Sequence, residues 1–259
     1  MLHDLYAGAL SDAAAREEKL PIKELEQLAL SCPSALDARN FLLSDTHVTL
    51  IAEIKRASPS RGTIAEIENP AELARTYEAA GASTVSVLTE GRKFLGSLQD
   101  LDEVREAISI PVLRKDFIAN EYQVIEARAH GADVVLLIAA GLEASTLTRL
   151  MALVEQLGMT ALIETHNEEE VLLACEIGAE LIGINARDLT TFETDRALFA
   201  ELSSLITTDA VKIAESAVRN VGDVEEYASV GADCVLVGEA LVTGDAHKLV
   251  SSFSGVKKP

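Results

Sequence analysis

The chain reads as an α/β protein folded as a single closed (β/α)8 barrel, a TIM barrel with an N-terminal helical extension. Three observations carry that reading. Eight short runs rich in β-branched residues recur along the chain, segments of helical periodicity separate them, and a glycine repeatedly closes the helix before the next run begins. The right-handed strand–helix–strand crossover, repeated eight times, brings the sheet round to meet its own first strand. A doubly wound open sheet fits less well. No G-x-G-x-x-G follows the first strand, and polar residues end nearly every strand instead of gathering at one switch point.

Taken in order, residues 1–47 are expected to be helical in two pieces interrupted by Pro21, an extension packed on the barrel rather than a separate domain. The barrel then occupies residues 48–259. Its strands are expected at 48–55, 84–89, 111–115, 133–138, 159–164, 181–185, 211–215 and 233–237. Helical periodicity fills the intervals, clearest at 71–80, 98–108, 122–130, 144–157, 168–177 and 221–230. Gly81-Ala82, Gly131-Ala132, Gly158-Met159, Gly178-Ala179 and Gly231-Ala232 each put a glycine where a helix ends in a left-handed residue.

Composition bounds the function. With 259 residues, 48% hydrophobic and 25% charged, the chain is long enough for one large globular domain. A formal net charge of -20 with no Lys/Arg block excludes nucleic-acid and anionic-membrane surfaces as partners. A phosphate must therefore be met by local groups, which screening over about 8 Å at physiological salt permits. Cys32, Cys175 and Cys234 are far apart and fit no disulfide framework, so they are expected as buried free thiols of a reducing compartment. Asp4, Asp12 and Glu17 interrupt the N-terminal segment, which reads as neither a signal peptide nor a span; a cytoplasmic location is expected.

Barrel chemistry sits at the C-terminal strand ends, and those ends carry Glu53 and Lys55, Glu90, Lys115, Glu164, Asn185, and Glu215 with Ser216. Side chains two apart share a strand face. Lys115 therefore tops a column with Leu113, Glu164 with Leu162, Asn185 with Gly183 and Glu215 with Ile213. Ammonium and carboxylate groups converging on one partly desolvated mouth suit general acid–base chemistry. No H-E-x-x-H, no His–Asp cluster, no Ser-His-Asp set and no dinucleotide fingerprint is present, and the five histidines fall at helix or loop positions, so neither metal nor cofactor is expected. Ser216-Ala217 after the seventh strand and Gly238-Glu239 after the eighth lie where barrels cradle a phosphate on backbone N–H groups.

Six segments resemble the indole-3-glycerol phosphate synthase family of tryptophan biosynthesis. They are Ile51-Ala52-Glu53-Ile54-Lys55-Arg56-Ala57-Ser58-Pro59-Ser60, Ser86-Val87-Leu88-Thr89-Glu90, Pro111-Val112-Leu113-Arg114-Lys115-Asp116-Phe117, Glu164-Thr165-His166, Gly183-Ile184-Asn185-Ala186-Arg187-Asp188-Leu189 and Ala214-Glu215-Ser216. The resemblance spans essentially the whole chain. It implies ring closure of 1-(2-carboxyphenylamino)-1-deoxyribulose 5-phosphate to indole-3-glycerol phosphate, with loss of carbon dioxide and water. By resemblance Lys115 is the acid at the ketone oxygen and Glu164 the base-side partner of the dehydration. Lys55 meets the substrate carboxylate, and whether it also donates a proton stays open. Glu53 and Asn185 orient these groups, and Arg187, Glu215 and Ser216 complete the set. The same resemblance places Pro59, Phe94, Phe117, Leu136, Leu189 and Leu236 around the aromatic ring; Ser58 is also expected to bind substrate, and Ala217, Gly238 and Glu239 are expected at the phosphate from their place after the seventh and eighth strands. It makes residues 56–62 a mobile lid stiffened by Pro59 and bent at Gly62.

Two positions depart from the family pattern: Ala217 stands where glycine is usual, and Ala186 where a second asparagine is common. If residue 217 has positive φ, alanine there is strained by about 1 kcal/mol. The expected partner is a small phosphorylated, anthranilate-derived molecule, and the expected assembly a monomer or weak homo-oligomer. Two other readings compete. A phosphoribosylanthranilate isomerase-like barrel would carry a cysteine at the end of the first strand, where Glu53 and Lys55 stand, and a catalytically silent binding subunit would have lost Lys55, Lys115 or Glu164.

Overall fold

All eight apolar runs form strands in the computed structural model, which describes residues 2–188 and 193–259. Three helices lead in: α1 (Leu2–Glu17), α2 (Ile22–Ser31) and α3 (Ala38–Leu42). The barrel follows as β1 (Thr49–Ile54), α4 (Pro70–Ala79), β4 (Thr84–Leu88), α5 (Leu98–Ala107), β5 (Val112–Lys115), α6 (Glu121–Ala129), β6 (Val134–Ile138), α7 (Ala144–Gln156), β7 (Thr160–Thr165), α8 (Glu168–Glu176), β8 (Leu181–Asn185), α9 (Ala197–Ser203), β9 (Val211–Glu215), α10 (Val221–Ser229), β10 (Cys234–Val237), α11 (Glu239–Thr243) and α12 (Ala246–Phe253). After β1 a small antiparallel pair, β2 (Ala57–Ser58) and β3 (Gly62–Thr63), forms a hairpin above the mouth. The large strands are all parallel and close in the order β1-β10-β9-β8-β7-β6-β5-β4, with β4 returning to β1.

Helix starts are set by short polar side chains. Asn69, Ser97, Asn120, Asn167 and Asn220 each accept an N–H of the first turn of the helix that follows, and Pro70 adds its fixed φ at the start of α4. At the other end Gly131 adopts φ 76° after α6, a conformation costly for any residue with a Cβ. The Gly-Ala-Asp sequence that follows recurs with one function. Asp133 accepts the N–H of Val112 at 2.8 Å and Asp233 that of Lys212 at 3.0 Å, each pinning the first residues of a neighbouring strand.

Strand alternation divides the core. Ile51, Leu113, Leu136, Leu162, Ile213 and Leu236 fill the lumen, while Leu50, Ala52, Val85, Val135, Leu137 and Ile182 pack outward under the helices. The leading segment differs from the two helical pieces expected. Asp37 caps a third helix, α3, by accepting the N–H of Asn40. The helices α9, α11 and α12 also lie in stretches where periodicity singled nothing out, because helices of about two turns are too short to display it. The thiols need correction too: Cys234 is buried in the lumen, but Cys32 and Cys175 are only partly covered. The extension packs through Leu25 and Ala29 of α2 onto Tyr122 and Ile125, while Tyr6 and Ala9 of α1 join the lumen cluster at the mouth.

Candidate active site

The parity that sends Ile51 into the lumen brings Glu53 to the rim, and the same step carries Leu113 to Lys115, Leu162 to Glu164 and Ile213 to Glu215. One cavity of about 860 Å3 opens there. It is lined by Glu53, Lys55, Ser58, Pro59, Phe94, Lys115, Phe117, Leu136, Glu164, Asn185, Arg187, Glu215, Ser216, Ala217, Leu236, Gly238 and Glu239. The remaining candidate, Leu189, lies outside the described residues.

Two charge clusters face each other across this space. In the first, Lys55 Nζ stands 2.6 Å from Glu53 Oε1. In the second, Lys115 Nζ donates to Glu164 Oε2 at 3.1 Å and to Glu215 Oε2 at 2.9 Å. Glycine makes room for both. A Cβ on Gly238 would lie 2.2 Å from Glu53 Oε1, and one on Gly183 would lie 2.1 Å from Glu215 Oε1.

Burial opposes the charge on Lys115, but the Glu215 and Glu164 carboxylates outweigh it and hold the ammonium protonated well above its usual range. The carboxylates diverge. Burial would raise Glu164, yet Lys115 and His166 hold it well below the usual carboxylate range. Glu215 is pushed up to about 8, by burial first and by the neighbouring Glu164 charge, against the pull of Lys115. Near neutrality the cluster therefore holds an ionised Glu164, a protonated Lys115 and a Glu215 that keeps its proton. Carboxyls pushed apart in this way are suited to separate acid and base roles.

One wall is aromatic: Phe94 and Phe117 have ring centroids 6.0 Å apart, and Tyr6 meets Phe117 edge-on at 5.7 Å. Leu2, Leu5 and Ile138 extend it, so the N-terminal helix contributes to the cavity. Glu90, a strand-end candidate for chemistry, serves this wall instead. It does not face the cavity, and its buried carboxylate accepts the N–H groups of Arg92, Lys93 and Phe94, fixing the loop that carries Phe94.

The opposite wall is the pair of turns after β9 and β10. Ser216 and Ala217 both have positive φ, 70° and 65°, so alanine does occupy a left-handed position. The Ser216 hydroxyl donates to Asn185 Oδ1 at 2.7 Å, which also accepts the Arg187 N–H at 3.0 Å. In this arrangement the hydroxyl proton is engaged by Asn185, which leaves the backbone N–H groups of the turn for an anion. The Glu239 carboxylate is turned to the β2–β3 hairpin, where it pairs with the Arg61 guanidinium. Ala186 is buried outside the cavity, its N–H bonded to the Glu215 carbonyl.

The sequence reading missed His166. It stands one residue past β7, in the loop to α8 as expected, with Nε2 3.4 Å from Glu164 Oε1. Its signal was available, since it lies two residues beyond Glu164 on the same strand face. Among the described residues no group of three His, Cys, Asp or Glu side chains is arranged to hold a metal, and no helix is long and apolar enough to cross a membrane.

A family model described as indole-3-glycerol phosphate synthase matches residues 2–253. An indole-3-glycerol phosphate synthase of Leifsonia xyli subsp. xyli is 54% identical over 256 residues, covering 99% of this chain and 98% of that one. One of Rhodococcus jostii is 54% identical over 254 residues, covering 98% and 94%. Among solved structures, the N-acetylmannosamine-6-phosphate 2-epimerase of Clostridium perfringens superposes with a TM-score of 0.63 at 15% identity, covering 83% of this chain and 94% of that chain. The thiamine phosphate pyrophosphorylase of Pyrococcus furiosus gives 0.60 at 15% identity, covering 84% and 96%. At that identity these two speak for the fold alone.

Proposed function

The chain belongs to the indole-3-glycerol phosphate synthase family, and from that premise we propose how its mouth closes the ring of 1-(2-carboxyphenylamino)-1-deoxyribulose 5-phosphate in tryptophan biosynthesis. The observation that carries the assignment of roles is the pair of facing clusters, Lys55–Glu53 and Lys115–Glu164–Glu215, between an aromatic wall and the β9 and β10 turns.

The anilino ring lies against Phe94, Phe117 and Leu136, with Leu189 and Leu236 assigned to the same pocket by resemblance. The phosphate lies at the backbone N–H groups of residues 216–217 and 238–239, beside Arg187. That placing brings the ketone to Lys115. As the ring carbon bearing the carboxylate attacks the carbonyl carbon, the ketone oxygen gains negative charge, and the Lys115 ammonium supplies the proton. Lys55, held by Glu53, faces the substrate carboxylate until it leaves as carbon dioxide and the ring regains aromaticity. In the final step the hydroxyl left on the former carbonyl carbon departs as water, its second proton supplied by Lys115 reprotonated from solvent, as the adjacent carbon next to the nitrogen loses a proton. The ionised Glu164 carboxylate takes up the proton released there, and Glu215 and Asn185 keep Lys115 and Ser216 in register. Ser58 and Pro59 close over the substrate with the hairpin, whose Arg61 reaches Glu239 on the phosphate side.

Every step uses ammonium, carboxylate and amide groups of the chain, so turnover should survive exhaustive chelation and need no added cofactor. Indole fluorescence on adding the substrate is the assay. Lys115→Ala and Glu164→Gln should each lower kcat by about 10² to 10⁴, and Lys55→Ala should act mainly on KM. Near wild-type turnover in Lys115→Ala, with chemistry shown to be the slow step, overturns the acid assignment.

A further inference from the structure

His166 lies behind the carboxylate that takes up the last proton. Its imidazole is largely covered, with Nε2 3.4 Å from Glu164 Oε1 and Nδ1 3.2 Å from Glu170 Oε2. Glu170 is fixed in its turn. It is the third residue of α8, and its Oε2 accepts the His166 backbone N–H at 2.8 Å while its Oε1 accepts the Asn167 amide at 2.6 Å. Nε2 is buried and makes no well-directed hydrogen bond, its near neighbour being the Glu164 oxygen that does not touch Lys115.

The ring is thus flanked by one carboxylate on each nitrogen. Burial works against its charge, but the flanking Glu164 and Glu170 carboxylates outweigh burial and raise it to about 10. Lys115 and Glu215 lie on the far side of Glu164, and Glu168 and Glu169 in the first turn of α8 add negative charge near the ring's own element. An imidazole that bonded a carboxylate only to cap α8 would need its backbone N–H and nothing at Nε2.

We propose that His166 is a positioning residue for the ring-closing reaction, an imidazolium that clamps Glu164 from behind so that this carboxylate meets Lys115 through one oxygen and stays ionised through the dehydration. Resting on the role given to Glu164 above, it makes the row Glu170–His166–Glu164–Lys115 a continuous line of alternating charge from a helix start to the middle of the mouth. The clamp touches no substrate. It acts through Glu164, holding the carboxylate's orientation and its ionised form.

Two measurements test it. In the free enzyme labelled with 15N-histidine, the His166 imidazole, identified by the signals lost in His166→Gln, should remain doubly protonated through pH 8 and revert toward ordinary histidine titration in Glu164→Gln. In kinetics, His166→Gln should lower kcat about tenfold as Glu164 loses its fixed orientation, leave KM within about twofold, and, as the Glu164 pKa rises, move the acid limb of kcat to higher pH. His166→Asn serves as the second variant. An imidazole that titrates near pH 6.5 in the wild type overturns the proposal without reference to substrate. So do unchanged kcat and an unmoved acid limb in both variants alongside a lowered Tm, the result expected of a helix cap alone. Failure of the wild type to form indole-3-glycerol phosphate would instead overturn the function reading, and the imidazole titration would still judge the clamp.

Discussion

Gly238 is where a side chain would collide with the machinery. Its absent Cβ would sit 2.2 Å from Glu53 Oε1 and 3.1 Å from Lys55 Nζ, so Gly238→Ala displaces the carboxylate that holds Lys55. A shift on the scale of an ångström at a reacting pair costs about 10², and kcat/KM should fall by that factor while inorganic phosphate still competes with substrate. Gly238 was expected at the anion site, and the structure adds that a side chain there meets the Glu53–Lys55 pair first. Ala217 makes a second residue-scale case. It holds φ 65° with a Cβ, a conformation costing about 1–2 kcal/mol, from which the extra freedom of an unfolded glycine subtracts about 0.4–1 kcal/mol. Ala217→Gly should therefore raise Tm by about 2 °C, read by calorimetry, with phosphate binding retained.

Among elements, β5 and the turn after it depend on one buried guanidinium. Arg114 is on the outward face of β5, fully covered, and donates to Glu126 Oε2 at 2.9 Å, Asp116 Oδ2 at 3.1 Å and the Gln123 carbonyl at 2.9 Å. Asp116 in turn accepts the Phe117 N–H at 2.8 Å, and Glu126 also holds Arg16 of α1 at 2.6 Å. The extension, the helix behind β5 and the aromatic wall are thus tied at one point. Arg114→Met leaves two buried carboxylates short of a partner and should cost about 3–5 kcal/mol, seen as a lower urea midpoint, with KM rising as Phe117 loosens. Arg16→Met should cost less, because Glu126 keeps Arg114. The motif around Lys115 was legible in the sequence. That its arginine faces away from the mouth follows from alternation, but what it grips does not, since Glu126 and Arg16 come from separate helices.

For the molecule as a whole, the shifted groups set opposing slopes in stability against pH. Glu164 is depressed, so the stability it contributes is present above its ordinary 4.5 and lost on acidification. Glu215 is raised from 4.5 to about 8, so its unfolded form ionises first and stability is lost between those values as pH rises. His166 is raised from 6.5 to about 10, so its contribution is complete below 6.5 and lost through about 10. Lys115, raised above its ordinary 10.5, keeps its contribution throughout this range. Tm should accordingly be greatest in the mildly acidic window and decline from there to pH 10. Glu215→Gln should flatten the lower part of that decline and His166→Gln the upper part, both measured by thermal unfolding across pH.

The barrel was open to reading because its information is local. A buried parallel strand is an apolar run that alternation sorts into lumen and outer face, and the strand ends were located to within about two residues. Local patterning also named the side chains two steps beyond the lumen column, Lys115, Glu164 and Glu215 among them. What only the tertiary structure decided is which of these groups meet. Lys115 and Glu215 are a hundred positions apart and touch because β5 and β9 cross the mouth from opposite sides of a closed sheet. His166 lies between two carboxylates because α8 begins where its Glu170 can hold the ring, Glu90 leaves the mouth because its loop claims its carboxylate, and Glu239 turns to the β2–β3 hairpin because Arg61 reaches it. Pattern along a chain reports which face a side chain takes. The partner it finds there depends on closure of the barrel, which brings distant strand ends within a few ångströms and lets burial and charge act between them.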